Sequence, residues 1–300
     1  MENVGFIGLG RLGTAMAGNI RKAGYPMVVH DAREAATLPL LEAGARLAGS
    51  PAEVAGLSDV VFTSLPAPRD VETVVLGGDG LLEGIKEGAV YLDLTTCGPG
   101  TVRRLEPMFR QKGADMMDTP VLSTPAGAAK RSLIAMAGGR REVFDRVRPI
   151  LDAFADKVVY TGGLGTASIC KLVNNMMGFV MGQVMAEGLT LGVEAGVDLD
   201  VLMDTGSRGV LGLRSERLYQ TVFKGEFQPP GFTLALTLKD MALATELARE
   251  SSVPMPMANL MEQMLRQCIN KGWAKDDSSK AFLLQEEAAG VEVRSSSTPR

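Results

Sequence analysis

Three glycines near the start of the chain have the spacing of a loop that holds a dinucleotide. Gly8, Gly10 and Gly13 form the pattern G-x-G-x-x-G between an apolar run and a helical segment. The first glycine permits a tight turn, the second lets the backbone approach a pyrophosphate, and the third lets helix pack on strand. The pyrophosphate then lies against the N–H groups of the helix N-terminus. The pattern therefore predicts a dinucleotide site.

An acidic residue follows at the place where such a site needs one. Asp31 ends the next apolar run after the glycine loop. A carboxylate there can accept hydrogen bonds from the adenosine ribose, and its charge repels a 2′-phosphate. We therefore expect NAD as the cofactor. Arg33 could instead meet a 2′-phosphate, so the residues leave NADP open.

A lysine and an asparagine farther along could do proton chemistry. Lys171 and Asn175 are one helical turn apart and share a face. A helical lysine is ordinarily solvated, but the neighbouring residues are strongly apolar, and burial moves a lysine pKa toward the range of a general acid or base. The residues alone leave both interpretations open. For Lys239 and Asp240, an exposed ion pair is the plainer interpretation.

The elements that must position these residues alternate in the first half of the chain. Short apolar strands separated by helices predict a doubly wound, mostly parallel sheet. The predicted strands are Val4–Ile7, Met27–His30, Asp59–Leu65, Ala89–Leu94, Asp115–Asp118, Ser132–Ala137 and Lys157–Tyr160.

The second half has only helical patterns. The predicted helices are Thr166–Ala195, Leu199–Ser207, Leu213–Lys224, Leu234–Glu250 and Met255–Lys271. We therefore predict a dinucleotide-binding domain over residues 1–164, an all-α domain over 165–290, and a disordered tail over 291–300. The first of these helices is apolar nearly all round, so it must be covered on most sides. In a homodimer or homotetramer, a neighbouring subunit would cover this apolar helix.

Composition excludes several other classes. The net charge of −4 and the aromatic content of 5% argue against a nucleic-acid partner. The sequence has no run of 18 uninterrupted apolar residues, so we expect no membrane span. Three scattered cysteines without a CxxC pair fit a reduced cytoplasm. With His30 as the single histidine, we expect no metal site, and lysine or a carboxylate should carry protons.

Taken together, the motifs resemble those of the β-hydroxyacid dehydrogenase family, which includes 3-hydroxyisobutyrate dehydrogenase. The resemblance covers essentially the whole chain and rests on GFIGLGRLGTAMAGNI, TSLP, DLTTCGP, KLVNN and FTLALTLKD. It implies hydride transfer between NAD and a small 3-hydroxy acid, or its semialdehyde or keto partner, with Lys171 as general acid/base. The substrate-binding residues it implies are Asn175 and Lys239, to which we add Ser123 for its hydroxyl. The cofactor-binding residues are Gly8, Leu9, Gly10, Leu12, Gly13, Asp31, Leu65, Pro66, Thr95 and Lys239.

One motif departs from the family pattern. Where the family reads D-x-P-V-S-G-G, this chain reads DTPVLSTPAGAAKRSL. Leu122 replaces a substrate-binding serine, Ser123 and Thr124 replace two glycines, and Arg131 replaces another. The identity of the substrate is therefore not carried over.

Two alternatives are weighed against this hypothesis. An NADPH-dependent semialdehyde or glyoxylate-type reductase would contradict the role given to Asp31. A catalytically inactive cofactor-binding protein would explain the altered loop, but Lys171, Asn175 and Lys239 are all present.

Overall fold

The computed structural model describes residues 1–123, 125–213 and 215–295. The chain divides into two compact units, Met1–Val173 and Asn174–Arg300. The first holds the sheet, and the second is helical in its described residues.

The first unit is built on one sheet. Its strands are β1 (Val4–Ile7), β2 (Met27–His30), β3 (Arg46–Leu47), β4 (Val60–Thr63), β5 (Val90–Asp93), β6 (Asp115–Asp118), β7 (Val121–Leu122), β8 (Ile134–Gly138) and β9 (Lys157–Gly162). From β3 the order is β3-β2-β1-β4-β5-β6, all parallel, which is the strand order of dinucleotide-binding domains. The short strands β6 and β7 both pair with β8 in antiparallel fashion, and β9 pairs with β8 in parallel.

Apolar clusters cover both faces of this sheet. Neighbouring residues on one strand point to opposite faces, so Phe6 and Phe62 join one buried cluster while Ile7 and Val61 join the other. Burial on both faces explains why the strands are continuously apolar rather than alternating.

Helices connect the strands and form the second unit. They are α1 (Arg11–Lys22), α2 (Leu38–Glu42), α3 (Pro51–Leu57), α4 (Pro68–Leu76), α5 (Leu81–Gly84), α6 (Pro99–Gln111), α7 (Pro125–Ala129), α8 (Arg141–Phe154), α9 (Thr166–Glu194), α10 (Leu199–Thr205), α11 (Ser215–Gln220), α12 (Leu234–Glu250), α13 (Pro256–Asn270) and α14 (Phe282–Ala289). Single 3-10 turns lie at Glu34–Thr37, Leu211–Leu213, Val222–Lys224 and Ser278–Ala281.

The predicted fold class, a doubly wound sheet followed by an all-α part, is confirmed. Local differences include the strands β3 and β7 and the helix α14, which were not predicted, and the helix predicted over Leu213–Lys224, which is broken. The break lies at Thr221, whose backbone is not helical.

The start of the predicted disordered tail is ordered. Val291 and Val293 are buried, and the Val293 N–H donates to Glu286 Oε1 at 2.8 Å. Arg294 forms an ion pair with the same carboxylate. The prediction of disorder is therefore wrong for residues 291–295, because an apolar valine pair outweighs the polar character of the segment. Residues 296–300 lie outside the described part.

The long helix α9 is less covered than its composition suggests. Its most apolar 18-residue window has a mean hydropathy of 1.3, and 28% of that window is buried. By length and composition this helix is able to cross a membrane, a property that it shares with core helices of soluble proteins.

The three cysteines lie in different surroundings. Cys97 and Cys268 are buried, Cys170 is exposed, and none of the three is in a disulfide. Burial raises the pKa of Cys268 to about 11.

Candidate active site

The glycine loop between β1 and α1 has the shape that its spacing predicts. Gly8 has a φ of +91°, which favours glycine, and a Cβ there would lie 2.4 Å from the Ser64 carbonyl oxygen. A Cβ at Gly13 would lie 2.0 Å from the Gly8 carbonyl oxygen. A Cβ at Gly10 would meet open space. The first and third glycines therefore serve packing, while the second leaves room for a ligand.

The N-terminus of α1 suits an anion. No side chain caps this end of α1, and its first turn contains no acidic residue. The positive end of the helix dipole is thus left for an external negative charge. The open space at Gly10 and this helix end fit the pyrophosphate of a dinucleotide.

Asp31 lies directly after β2 and is tied to the glycine loop. Its Oδ2 accepts the Leu9 N–H at 2.7 Å, and its Oδ1 accepts the Arg33 N–H at 2.8 Å. The Asp31 side chain is 9% exposed and the Arg33 side chain 72% exposed. The carboxylate is therefore held in place, with the arginine turned to solvent beside it.

The predicted residues Leu65 and Thr95 meet through a buried network. The Leu65 N–H donates to Thr95 Oγ1 at 3.1 Å, and the Thr95 N–H donates to Asp93 Oδ1 at 2.9 Å. Thr63 Oγ1 donates to the same carboxylate oxygen at 2.9 Å. Burial raises the pKa of Asp93, although the bonds from Thr95 and Thr63 act in the opposite direction. The network fixes both loops at the carboxyl ends of β4 and β5.

The remaining predicted cofactor contacts are placed differently. Leu9 is a buried core residue, so it offers its backbone rather than its side chain. Leu12 is partly buried and packs against the same core cluster. Pro66 is exposed after β4.

Lys171 lies in the first turns of α9, and its amine is held in place. Its Nζ donates to the Val121 carbonyl at 2.8 Å, and the residue is partly buried. The Val121 carbonyl belongs to β7, the short strand within the altered motif. The amine therefore does not extend freely into solvent.

A buried carboxylate binds the N-terminus of the same helix. Asp118, at the end of β6, accepts the N–H groups of Gly165 and Ser168, each at 2.7 Å. Burial raises the pKa of Asp118, and these two N–H groups partly offset the rise.

In the helical unit, Asn175 and Lys239 share one carboxylate. Asn175 Nδ2 donates to Asp240 Oδ2 at 2.7 Å, and Lys239 Nζ lies 3.0 Å from Asp240 Oδ1. The Asp240 side chain is almost fully buried. The plain interpretation of Lys239 and Asp240 as an exposed pair is therefore wrong. Asp240 orients the asparagine amide.

The altered loop is only partly described. Ser123 Oγ donates to the Ser132 carbonyl at 3.0 Å, and Leu122 pairs with Ile134 as part of β7. Thr124 lies outside the described residues.

Sequence reasoning missed three buried carboxylates, namely Asp93, Asp118 and Asp240, as members of the site. Two of them end apolar strands, and the third lies in an apolar helix. A charged residue in an apolar run is a signal of a specific partner, because an unpaired buried charge is costly. Within the described residues, no group of three His, Cys, Asp or Glu could hold a metal ion.

Two family models match most of the chain. Residues 3–162 match the family model described as the NAD binding domain of 6-phosphogluconate dehydrogenase. Residues 165–284 match the model described as NAD-binding of NADP-dependent 3-hydroxyisobutyrate dehydrogenase.

Relatives align along nearly their whole length. The chain is 31% identical to 2-(hydroxymethyl)glutarate dehydrogenase of Eubacterium barkeri, with 97% of each chain covered. It is 33% identical to the NAD-dependent L-serine dehydrogenase of Pseudomonas aeruginosa, covering 97% of this chain and 100% of the relative. It is 32% identical to mouse mitochondrial 3-hydroxyisobutyrate dehydrogenase, covering 95% of this chain and 87% of the relative.

Solved structures share the fold. The 3-hydroxyisobutyrate dehydrogenase of Salmonella typhimurium superposes with a TM-score of 0.82 at 26% identity, covering 94% of this chain and 99% of that one. The Mycobacterium tuberculosis enzyme with L-serine gives a TM-score of 0.86 at 24% identity, covering 95% and 99%. The chain thus belongs to the β-hydroxyacid dehydrogenase family of NAD(P)-dependent oxidoreductases.

Proposed function

We propose that the protein transfers a hydride between NAD and a small 3-hydroxy acid, or its semialdehyde or keto partner, with Lys171 as the general acid/base. The observation that carries the proposal is the fixed amine: Lys171 Nζ is bonded to the Val121 carbonyl in the unit that also holds the glycine loop. Asn175 follows one turn later with its amide oriented by Asp240.

The chemistry follows from these residues. In the oxidation direction, neutral Lys171 removes the hydroxyl proton while the carbon bearing that hydroxyl loses a hydride. In the reduction direction, the Lys171 ammonium returns the proton to the carbonyl oxygen. The dinucleotide, when bound at Gly8, Gly10 and Gly13, supplies the hydride acceptor or donor. Asn175 orients the substrate oxygen, and Ser123 and Lys239 contribute further polar contacts to the substrate.

The first test is removal of the amine. Lys171→Ala should lower kcat about 100- to 10,000-fold, the usual contribution of a general acid/base. NADH binding, followed by fluorescence, should stay within about twofold because the glycine loop and Asp31 are untouched. Absorbance of the reduced cofactor reports turnover on a panel of 3-hydroxy acids with NAD and NADP.

Two further variants make this test sharp. Lys171→Arg keeps a positive charge that does not titrate in the working range, so it should be as inactive as the alanine variant. Lys112→Ala removes an exposed lysine and should retain full activity. Turnover retained by Lys171→Ala would falsify the assignment.

We also propose NAD rather than NADP as the working cofactor. Two backbone N–H groups hold the Asp31 carboxylate beside the glycine loop. A 2′-phosphate would have to approach this fixed carboxylate. The exposed Arg33 lies close to Asp31, with 3.5 Å between Arg33 Nε and Asp31 Oδ1. The carboxylate therefore offsets part of the positive charge that Arg33 could offer to a 2′-phosphate.

The assembly that we propose is a homodimer or homotetramer in the cytoplasm, formed without nucleic acid or membrane. Met177, Val184 and Leu191 are 57%, 50% and 71% exposed along α9. They recur every seven residues, which is two helical turns, so they form one apolar stripe. Gln183 and Glu187 also lie on this helix, and such groups are costly in lipid. A second copy of the chain therefore suits the stripe better than a membrane.

A further inference from the structure

The carboxylate of Asp118 makes a tertiary cap on the helix that carries Lys171. The first N–H groups of a helix have no partner within it. At the start of α9, the two N–H groups of Gly165 and Ser168 are satisfied by Asp118, which is 47 and 50 residues away in sequence. A carboxylate at this position also interacts favourably with the helix dipole.

Neighbouring backbone encloses this carboxylate closely. A Cβ at Gly138 would lie 2.5 Å from Asp118 Oδ1, so a larger residue on β8 would displace the carboxylate. Gly165 has a φ of +89°, which presents its N–H to Asp118 in a conformation that other residues rarely adopt. Asp118 itself is 1% exposed.

The same short segment also holds the lysine side chain. Val121 follows Asp118 by three residues and accepts the Lys171 amine, while Ser168 precedes Lys171 by three residues. The segment 118–121 thus contacts α9 at its N-terminal N–H groups and again one turn later at Lys171 Nζ. These two contacts determine how far α9 is rotated about its axis, and hence the direction of the lysine side chain.

We propose that Asp118 is a positioning residue for Lys171: by capping α9 it fixes the rotation of the first two turns and so the place of the amine. The proposal rests on the role of Lys171 given above. It assigns no proton transfer to Asp118.

The test compares asparagine substitutions at two aspartates that each cap a helix. Asp118→Asn keeps the size of the side chain but replaces one acceptor oxygen by an N–H donor that opposes a backbone N–H. We expect kcat to fall about 10- to 100-fold, the cost of a displacement of about 1 Å at a reacting group. The control is Asp198→Asn, at an exposed capping carboxylate whose Oδ1 alone accepts two backbone N–H groups, those of Asp200 and Val201, at the start of α10. The kcat of the control should stay within about twofold of that of the unaltered protein, because the caps of α9 and α10 are treated as independent sites.

A double-mutant comparison separates positioning from general destabilisation. If Asp118 acts through the amine, Asp118→Asn should have almost no further effect on the residual turnover of Lys171→Ala. All rates are taken at a temperature at which circular dichroism shows each variant folded. If the asparagine variant does not fold, Asp118→Ser replaces it in the comparison, because serine keeps one acceptor oxygen. The kcat of Asp118→Ser should then fall less than that of Asp118→Ala.

The outcomes distinguish this inference from the proposed function. A kcat for Asp118→Asn equal to that of Asp198→Asn, or equal fold losses with and without Lys171, would overturn the positioning role. Full turnover in Lys171→Ala would instead refute the proposed function, and the positioning role with it.

Discussion

At the scale of single residues, Asp31 has two tasks that are usually considered separately. Its Oδ2 accepts the Leu9 N–H of the glycine loop, and in the cofactor site that we propose the same carboxylate binds the adenosine ribose. Each carboxylate oxygen has further lone pairs, so the bond to Leu9 still leaves capacity for a ribose hydroxyl.

This arrangement predicts the effect of Asp31 on cofactor choice. Asp31→Ser should raise the apparent Kd for NADH about 10- to 100-fold, because hydrogen bonds to a charged acceptor contribute about 1.5–3 kcal/mol. Binding of NADPH should improve or stay constant, because the repulsion of the 2′-phosphate is removed. Fluorescence titration with both cofactors measures the change.

The control for this titration is the neighbouring arginine. Arg33→Ala should leave NADH binding within about twofold, since its side chain is largely exposed. A strong preference of the unaltered protein for NADPH would contradict the role of Asp31 and favour the reductase alternative.

Residue-scale prediction is possible where the pattern of a site is encoded by neighbouring positions. The glycine spacing and the i, i+4 pair of Lys171 and Asn175 can be recognised from a few neighbouring positions. Asp118 and Asp240 could not be assigned in this way, because their partners lie 47 to 65 residues away. Only the folded chain brings such groups together.

At the scale of elements, the loop before α12 depends on one ion pair. Asp277 accepts the N–H groups of Gly231 and Ser279 and pairs with Arg217 Nη2 at 2.7 Å. Burial alone would raise the pKa of Asp277, but the bonds from Ser279 and the charge of Arg217 outweigh it and lower the pKa below its ordinary value. The loop and the start of the helix carrying Lys239 are held by this carboxylate.

The lowered pKa predicts a pH-dependent contribution to stability. A carboxylate with a depressed folded-state pKa stabilises the protein above its unfolded-state pKa, and this stabilisation is lost as the pH falls through the folded-state value. Asp277→Asn should therefore lower the free energy of unfolding by roughly 2–3 kcal/mol at pH 7. The difference from the unaltered protein should shrink as the pH falls from about 4 toward 3.

Urea unfolding at a series of pH values measures this difference. Asp204→Asn, which alters an exposed carboxylate in the same unit, is the control and should be nearly neutral. A difference for Asp277→Asn that stays constant from pH 7 to pH 3 would show that the charge of Asp277 is not the source of its effect.

The accuracy with which elements were predicted depended on the length of the sequence pattern. The bounds of β1, β2, β6 and α12 agree with the predicted ones because each is a continuous apolar or periodic run. The two-residue strands β3 and β7 have no pattern of their own and exist because they pair with β2 and β8. The break lies at the single residue Thr221, whose backbone is not helical although the periodic pattern of the segment continues.

At the scale of the whole molecule, the exposed stripe of α9 predicts association. The unaltered protein should have a mass that is a multiple of 31.8 kDa by light scattering at micromolar concentration. Met177→Glu combined with Leu191→Glu should shift it toward the monomer, because an interface would bury two unpaired charges. Leu76→Glu, at an exposed leucine of the first unit, should not change the mass. A monomeric mass for the unaltered protein contradicts the proposed assembly.

The uneven burial of the three thiols has a practical consequence. The thiolate is the form that reacts with alkylating reagents. Cys97 and Cys268 are enclosed by the fold, whereas Cys170 is exposed and is the immediate neighbour of Lys171 in the chain. A maleimide dye added to the native protein should therefore attach at a single position beside the proposed amine, without any cysteine having to be introduced or removed.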